Sequence, residues 1–289
     1  MFRRSISLAR TVGLRSPHRA ALGLTVVGAG VIASKPRTLC TAAPSAEVAA
    51  PFKPTIYQYV ICPFCSRVKA YLDFCGVEYE SIEVDPLLKG EIKKLRTVTK
   101  KVPIAVINGV TVEDSGNIIE IITQMGNNKE IKAFPGPDFF PADTQEWTLW
   151  SEKKLAVMLY PNISRNLEES WECFSYADDV PTWNYFQRKL VRIAGTGAMT
   201  AVNGKIKAKY HIKDERAELK ETIQVWTNAL QGKKFLHGDK VTMPDVMVFG
   251  VLRAIKGLRT FNEVMTENPA LKEWYANVEA AIPAKKMAV

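Results

Sequence analysis

A chain of 289 residues, 47% hydrophobic and 24% charged, with 17 Gly and 16 Pro, has room for two ordinary domains and is neither fibrous nor low in complexity. Its net charge of +9 hints at nucleic acid, but Arg3, Arg4, Arg10, Arg15, Arg19, Lys35 and Arg37 all precede the first acid, Glu47. The remainder is close to neutral, so a phosphate-tracking surface is excluded and no nucleic-acid partner is expected. The cysteines number five, an odd count that speaks against a secreted disulfide framework.

Residues 1–54 read as a targeting segment and linker. Met1 to Ala20 is rich in Arg and Ser, free of acids and spaced like an amphipathic helix, as mitochondrial transit peptides are. A mitochondrial location is therefore expected. Ala20 to Ser34 is uncharged but only 15 residues long, short of the roughly 18–20 that a spanning helix needs. At most it gives a weak anchor or a peripheral membrane contact. Residues 35–54 are small, Pro-containing and aperiodic, a linker.

Thr55 to Ile61 is an apolar run that predicts a strand, followed by a helix with Val68, Leu72 and Cys75 on one face. That spacing places Cys75 in the core, and Gly76 ends the helix. Glu80 to Val84 alternates as a half-buried strand, Asp85-Pro86 breaks it, and Leu87 to Thr97 predicts a short amphipathic helix. Asn108-Gly109 between Val102–Ile107 and Val110–Val112 predicts a β-hairpin. Asp114 or Ser115 then caps a helix carrying Ile118, Ile119, Ile121 and Ile122. The order β-α-β-α-β-β-α is that of a thioredoxin-like domain over residues 55–128.

Residues 129–146, with Phe134-Pro135-Gly136-Pro137 and Pro141, connect it to a second part, residues 147–289, where strand signals vanish. Leu219, Ile223, Trp226 and Leu230 repeat with helical period, and Thr242-Met243-Pro244-Asp245 opens a helix apolar around most of its circumference. That helix is the expected centre of an all-α domain. The fold class is thus an α/β thioredoxin-like domain followed by an all-α one.

The chemistry centres on Cys62-Pro63-Phe64-Cys65, placed after a strand and at the start of a helix. There the unpaired backbone N–H groups and the helix dipole favour thiolate over thiol. Cys62 is the expected nucleophile, and Cys65, one turn in, the residue that resolves a mixed disulfide. The alternative reading of the pair is half of a zinc site, but structural zinc takes four ligands. Cys40, Cys75, Cys173, His18, His211 and His237 are scattered singly, so no metal is expected.

Pro103 before the hairpin, Asp114-Ser115 opening the next helix, and Phe235-Leu236-His237-Gly238-Asp239 leading into Thr242–Asp245 together resemble the glutathione transferase superfamily. Tyr57-Gln58-Tyr59, Cys62–Ser66, Leu72-Asp73-Phe74, Lys101-Val102-Pro103-Ile104, Tyr160-Pro161-Asn162 and Phe249–Arg253 narrow the likeness to its prostaglandin-synthase branch, over residues 55 to 282. The resemblance implies glutathione as cofactor. A cis Pro103 would present the Val102 backbone to it, and Asp114 and Ser115 would hold its γ-glutamyl end. It makes Tyr59 a site phenol beside Cys62, with Phe64 lining a greasy cleft. It also implies dimerisation through the helical domain.

The implied reaction is thiol-dependent isomerisation of a lipid endoperoxide, prostaglandin H2 to E2. The same thiolate would serve glutathione-linked disulfide exchange on another small thiol-reactive substrate, and a non-catalytic glutathione- or haem-binding module is the third reading. Two departures stand against haem. Leu155–Tyr160 lacks the family's histidine, and Lys205, Lys207 and Lys209 stand where the family has arginines, losing the bidentate fork.

Overall fold

In the computed structural model, which describes residues 52–283, β1 (Thr55–Gln58) runs parallel to β2 (Glu80–Glu83) and antiparallel to β3 (Ile104–Ile107), and β3 pairs antiparallel with β4 (Val110–Glu113). The sheet order is β2-β1-β3-β4. The hairpin is tight because Asn108 and Gly109 both take positive φ, 49° and 79°, the backbone that matches the twist of the flanking strands. The expected targeting segment, weak anchor and linker all lie outside the described residues.

Helix α1 (Pro63–Phe74) crosses from β1 to β2, and α2 (Ser115–Asn127) follows β4. Val68, Leu72 and Cys75 are fully buried, as their spacing predicts. Burial pushes the Cys75 thiol up to about 12, so it is an inert core residue. Gly76 follows with φ 67°.

The helix expected over Leu87 to Thr97 does not form. Residues 90–92 make a single 3-10 turn, with Lys89 left-handed at φ 51°. The Asp85 carboxylate accepts the N–H groups of Leu87 and Leu88 at 2.8 and 3.0 Å, closing a turn that competes with helix. Leu87 and Leu88 face out, and only Ile92 is buried.

Eight helices follow: α3 (Thr144–Trp150), α4 (Ala156–Asn162), α5 (Leu167–Cys173), α6 (Tyr185–Tyr210), α7 (Glu215–Leu230), α8 (Met243–Arg253), α9 (Arg259–Glu267) and α10 (Pro269–Ala281). The connection 129–146 is packed down, with Phe139 buried and stacked on Phe74 at 4.7 Å. Its last residues already belong to α3. A π turn, Ser151–Leu155, joins α3 to α4.

Residues Met243 to Leu252 of α8 are all buried, as their apolar circumference predicts. The helix starts on a capping box, in which the Asp245 carboxylate takes the Thr242 N–H at 2.9 Å. Its other oxygen accepts Leu236 N–H and Trp274 Nε1–H at 3.0 and 2.9 Å. Both carboxylate oxygens of this buried side chain are therefore satisfied.

Helix α1 packs against α8 along its length, so it is covered on both sides and even its polar residues are buried. Gly250 makes this approach: a Cβ there would sit 2.5 Å from the Arg67 Cα. Two of the three charged residues on α1 are paired with the helical part. Asp73, fully buried, meets Arg253 Nη1 at 2.6 Å and the Tyr79 hydroxyl at 2.9 Å. Arg67 meets Glu152 in the π turn at 3.1 Å.

Candidate functional site

Cys62 caps α1 in an extended conformation, with Pro63 as the first helical residue. Its N–H donates to Tyr59 C=O at 3.0 Å, which turns the chain sharply out of β1. The sulfur is thereby set over the helix N-terminus. A hydrogen bond from the Cys65 side chain lowers the Cys62 pKa most. Burial opposes it, and the Cys65 and Phe64 N–H groups and the Tyr160 phenol lower it further. The net direction is down, towards thiolate.

Cys65 is the opposite case. Fully buried, it is raised well above an ordinary thiol by desolvation and by donating its proton to Cys62. One cysteine of the pair is the anion and the other its hydrogen-bond donor, a division that follows from one being at the helix end and the other one turn inside.

Beside Cys62 lies a cleft of ≈ 470 Å³, lined by Tyr59, Phe64 and Val102 from the thioredoxin-like part and by Tyr160, Phe174 and Met199 from the helical part, among others. The lining is mainly apolar. The Phe64 and Tyr160 rings stand 6.4 Å apart. Burial, with the two thiols nearby, pushes the Tyr59 phenol up to about 12. Tyr160 is raised further by burial and by the Cys62 charge. Both phenols therefore stay protonated, and Tyr160 donates to the Cys62 sulfur.

Tyr160 is the site residue that sequence reasoning missed. It was visible only as part of a Tyr-Pro-Asn motif; α4, approached through the π turn, aims its hydroxyl at Cys62. Nothing in the local sequence marks that turn, whose extra residue shifts the helical face.

Below the thiols is a buried polar layer. Glu83, 8% exposed, accepts Val60 N–H at 3.0 Å and Gln58 Nε2–H at 3.3 Å. Burial pushes its carboxyl up to about 7. Lys69, 6% exposed on α1, is pulled down by burial first and then by Arg253.

The remaining expected residues are placed as follows. The Val102–Pro103 bond is cis. Val102 lines the cleft, and it precedes β3, outside the strand ladder. Its N–H and C=O have no partner among the described residues, which fits a peptide-like ligand. Pro103 is buried and does not line the cleft. Asp114 is exposed and takes the Gly116 N–H at 2.8 Å, so it does cap α2.

Ser115 is buried, 2% exposed, rather than open. Neither Asp114 nor Ser115 lines the cleft. Asp114 does act electrostatically on Arg67, whose buried Nε and Nη1 have no partner.

Haem does not fit the residues present. No histidine stands in Leu155–Tyr160, Lys207 is paired with Glu215, and Lys205 and Lys209 are exposed on α6.

A thioredoxin-like domain bearing a cysteine at its first helix, cis-proline opposite, and an all-α domain closing the cleft define a glutathione-transferase architecture. Residues 55–112 match the glutaredoxin family model, and residues 198–283 match that of the glutathione S-transferase C-terminal domain. Across both parts the chain is similar to proteins of the glutathione transferase superfamily. The beta-etherase LigF from Sphingobium shares the fold, with a TM-score of 0.52 at 16% identity over 79% of this chain and 96% of that one. Within the superfamily the chain is similar to prostaglandin E synthase 2 of Danio rerio, at 29% identity over 79% of this chain and 71% of the relative. It is likewise similar to prostaglandin E synthase 2 of Mus musculus, at 28% identity over 79% and 70%.

Proposed function

We propose that the chain is a thiol-dependent prostaglandin E synthase, isomerising the endoperoxide prostaglandin H2 to prostaglandin E2. The observation that carries this reading is the pairing of a thiolate-biased Cys62 with a mainly apolar cleft and two protonated phenols. The likeness to two relatives named for this activity, over 79% of this chain and 71% and 70% of the relatives, supports it.

The Cys62 thiolate attacks one oxygen of the strained O–O bond. An S–O bond forms, the O–O bond breaks, and the departing alkoxide takes the Tyr59 phenolic proton. The resulting phenolate removes the hydrogen on the carbon that bears the sulfenate oxygen. The C–H electrons become the second bond of the ketone, the S–O bond breaks and the thiolate returns. No net oxidation occurs and no outside reductant is consumed. Tyr160 holds the thiolate by hydrogen bond and the apolar walls exclude water. Glutathione, when bound along Val102 and the Arg67–Asp114 corner, supplies a second thiol.

The second reading, glutathione-linked disulfide exchange, is favoured by one observation. Cys65 already hydrogen-bonds the Cys62 sulfur, as a resolving thiol must. A paired substitution separates the two. In the first reading Cys62→Ser loses prostaglandin H2 conversion and Cys65→Ser keeps it. Turnover of a glutathione mixed disulfide with prostaglandin H2 decaying only at its spontaneous rate would sink the isomerase.

The same proposal places the protein in mitochondria, on the acid-free basic character of residues 1–46, and has it self-associate through the helical domain. Organelle fractionation and sedimentation read these two directly.

A further inference from the structure

The segment between β2 and β3, residues 86–101, carries Lys89, Lys93, Lys94, Arg96, Lys100 and Lys101 against a single acid, Glu91. The nearby carboxylates are hydrogen-bonded to neutral donors and form no ion pair with these cations. Asp85 accepts Leu87 and Leu88 N–H, Glu91 accepts Asp85 N–H at 3.0 Å, and Glu113 accepts Thr99 N–H at 2.8 Å and the Thr99 hydroxyl at 2.6 Å. Lys89 Nζ donates to Lys100 C=O at 2.8 Å and ties the ends of the segment together. Lys93, Lys94, Arg96, Lys100 and Lys101 are exposed, and none has an ion-pair partner among the described residues.

The same pinning turns aliphatic side chains outward. Leu88 is 64% and Val98 98% exposed, standing among the cations. This basic and aliphatic segment rims the cleft, since Leu87 and Lys89 near one end and Lys100 and Lys101 at the other line it. Nucleic acid would use the cations but has no use for the aliphatics. A negatively charged bilayer uses both, with headgroups for the lysines and the acyl boundary for Leu88 and Val98. No helix among the described residues is long and apolar enough to cross a membrane, so the contact is peripheral.

We propose that residues 86–101 dock the protein on an anionic lipid surface, with the mouth of the cleft turned to the bilayer so that an apolar substrate passes from lipid to Cys62 without crossing water. The docking does not depend on which reaction the thiol performs.

The test is amide hydrogen exchange of the full chain with vesicles of phosphatidylcholine alone, phosphatidylcholine with phosphatidylserine, and polyglutamate in place of vesicles. We expect protection of residues 86–101 only with phosphatidylserine, reversed by salt. Lys93→Ala/Lys94→Ala/Arg96→Ala lowers partition through this face on the order of 100-fold. Leu88→Ser/Val98→Ser removes the protection while keeping the charge. Neither variant touches the cleft lining, so turnover of a water-soluble thiol substrate is unchanged. Absence of protection over 86–101, or protection confined to the basic N-terminal residues, overturns the proposal. Equal protection by polyglutamate overturns it in favour of an acidic polypeptide partner.

Discussion

Replacing Glu83 by glutamine tests the buried layer beneath the thiols. Glu83 holds its proton up to about pH 7, against 4.5 for a free side chain, so between those values the folded state keeps a proton that the unfolded state has lost. Stability contributed by this group is fully present below about pH 4.5 and falls as pH rises through the folded value. The difference is worth about 3 kcal/mol. In Glu83→Gln the amide oxygen still accepts Val60 N–H. Gln58 presents Nε2 to Glu83, so its amide must turn over for the new amide N–H to donate to Gln58 Oε1, a buried oxygen without a partner in the wild type. We expect the two proteins to match near pH 4.5 and the variant to be more stable at about pH 8 by up to about 3 kcal/mol. The unbalanced Lys69 charge offsets part of that gain. Urea denaturation at several pH values measures it, and titrating groups remote from Glu83 cancel in the comparison. Parallel stability curves between about pH 5 and pH 8, or a variant weaker at pH 8, would refute the reasoning.

Tyr160→Phe removes one hydrogen bond to the Cys62 anion, worth about 1.5–3 kcal/mol, so the thiol pKa rises by about one unit or more. The pH profile of iodoacetamide alkylation reads this, and an unmoved midpoint removes Tyr160 from the thiolate's support. Arg253→Ala leaves Asp73, fully buried, with only the Tyr79 hydroxyl and costs about 3–5 kcal/mol. A loss under about 1 kcal/mol in thermal or urea unfolding would show that the pair does not bind α1 to α8.

Much of the site was legible because its signals are local. Cys62 lies four residues past the end of β1 and one helical turn before Cys65, so a single turn of chain sets their roles. Asn108-Gly109 dictated its hairpin, and Thr242–Asp245 its capping box, because each is a contest between neighbouring backbone groups. The failure at Leu87–Thr97 has a local cause as well: its helical periodicity was outbid by the Asp85 turn and the left-handed Lys89. The Asp114-Ser115 pair was half legible. Its capping role is a property of the helix end, whereas the burial of Ser115 depends on what packs over it.

What the sequence determined by itself is the order of elements, the two-part architecture and the choice of Cys62 as nucleophile, since spacing and helix ends are properties of a short stretch of chain. Only the tertiary structure decided that Tyr160 faces the thiolate, that Glu83 and Lys69 lie buried beneath it, and that Arg67, Asp73 and Gly250 make the α1–α8 contact. The α1 contacts join residues about 85 to 183 positions apart, and no periodicity in one segment encodes which side chain another will bring. For Cys62 the consequence is direct. The helix end makes it a candidate anion, and the phenol, buried thiol and apolar walls around it define the cleft in which that anion would act.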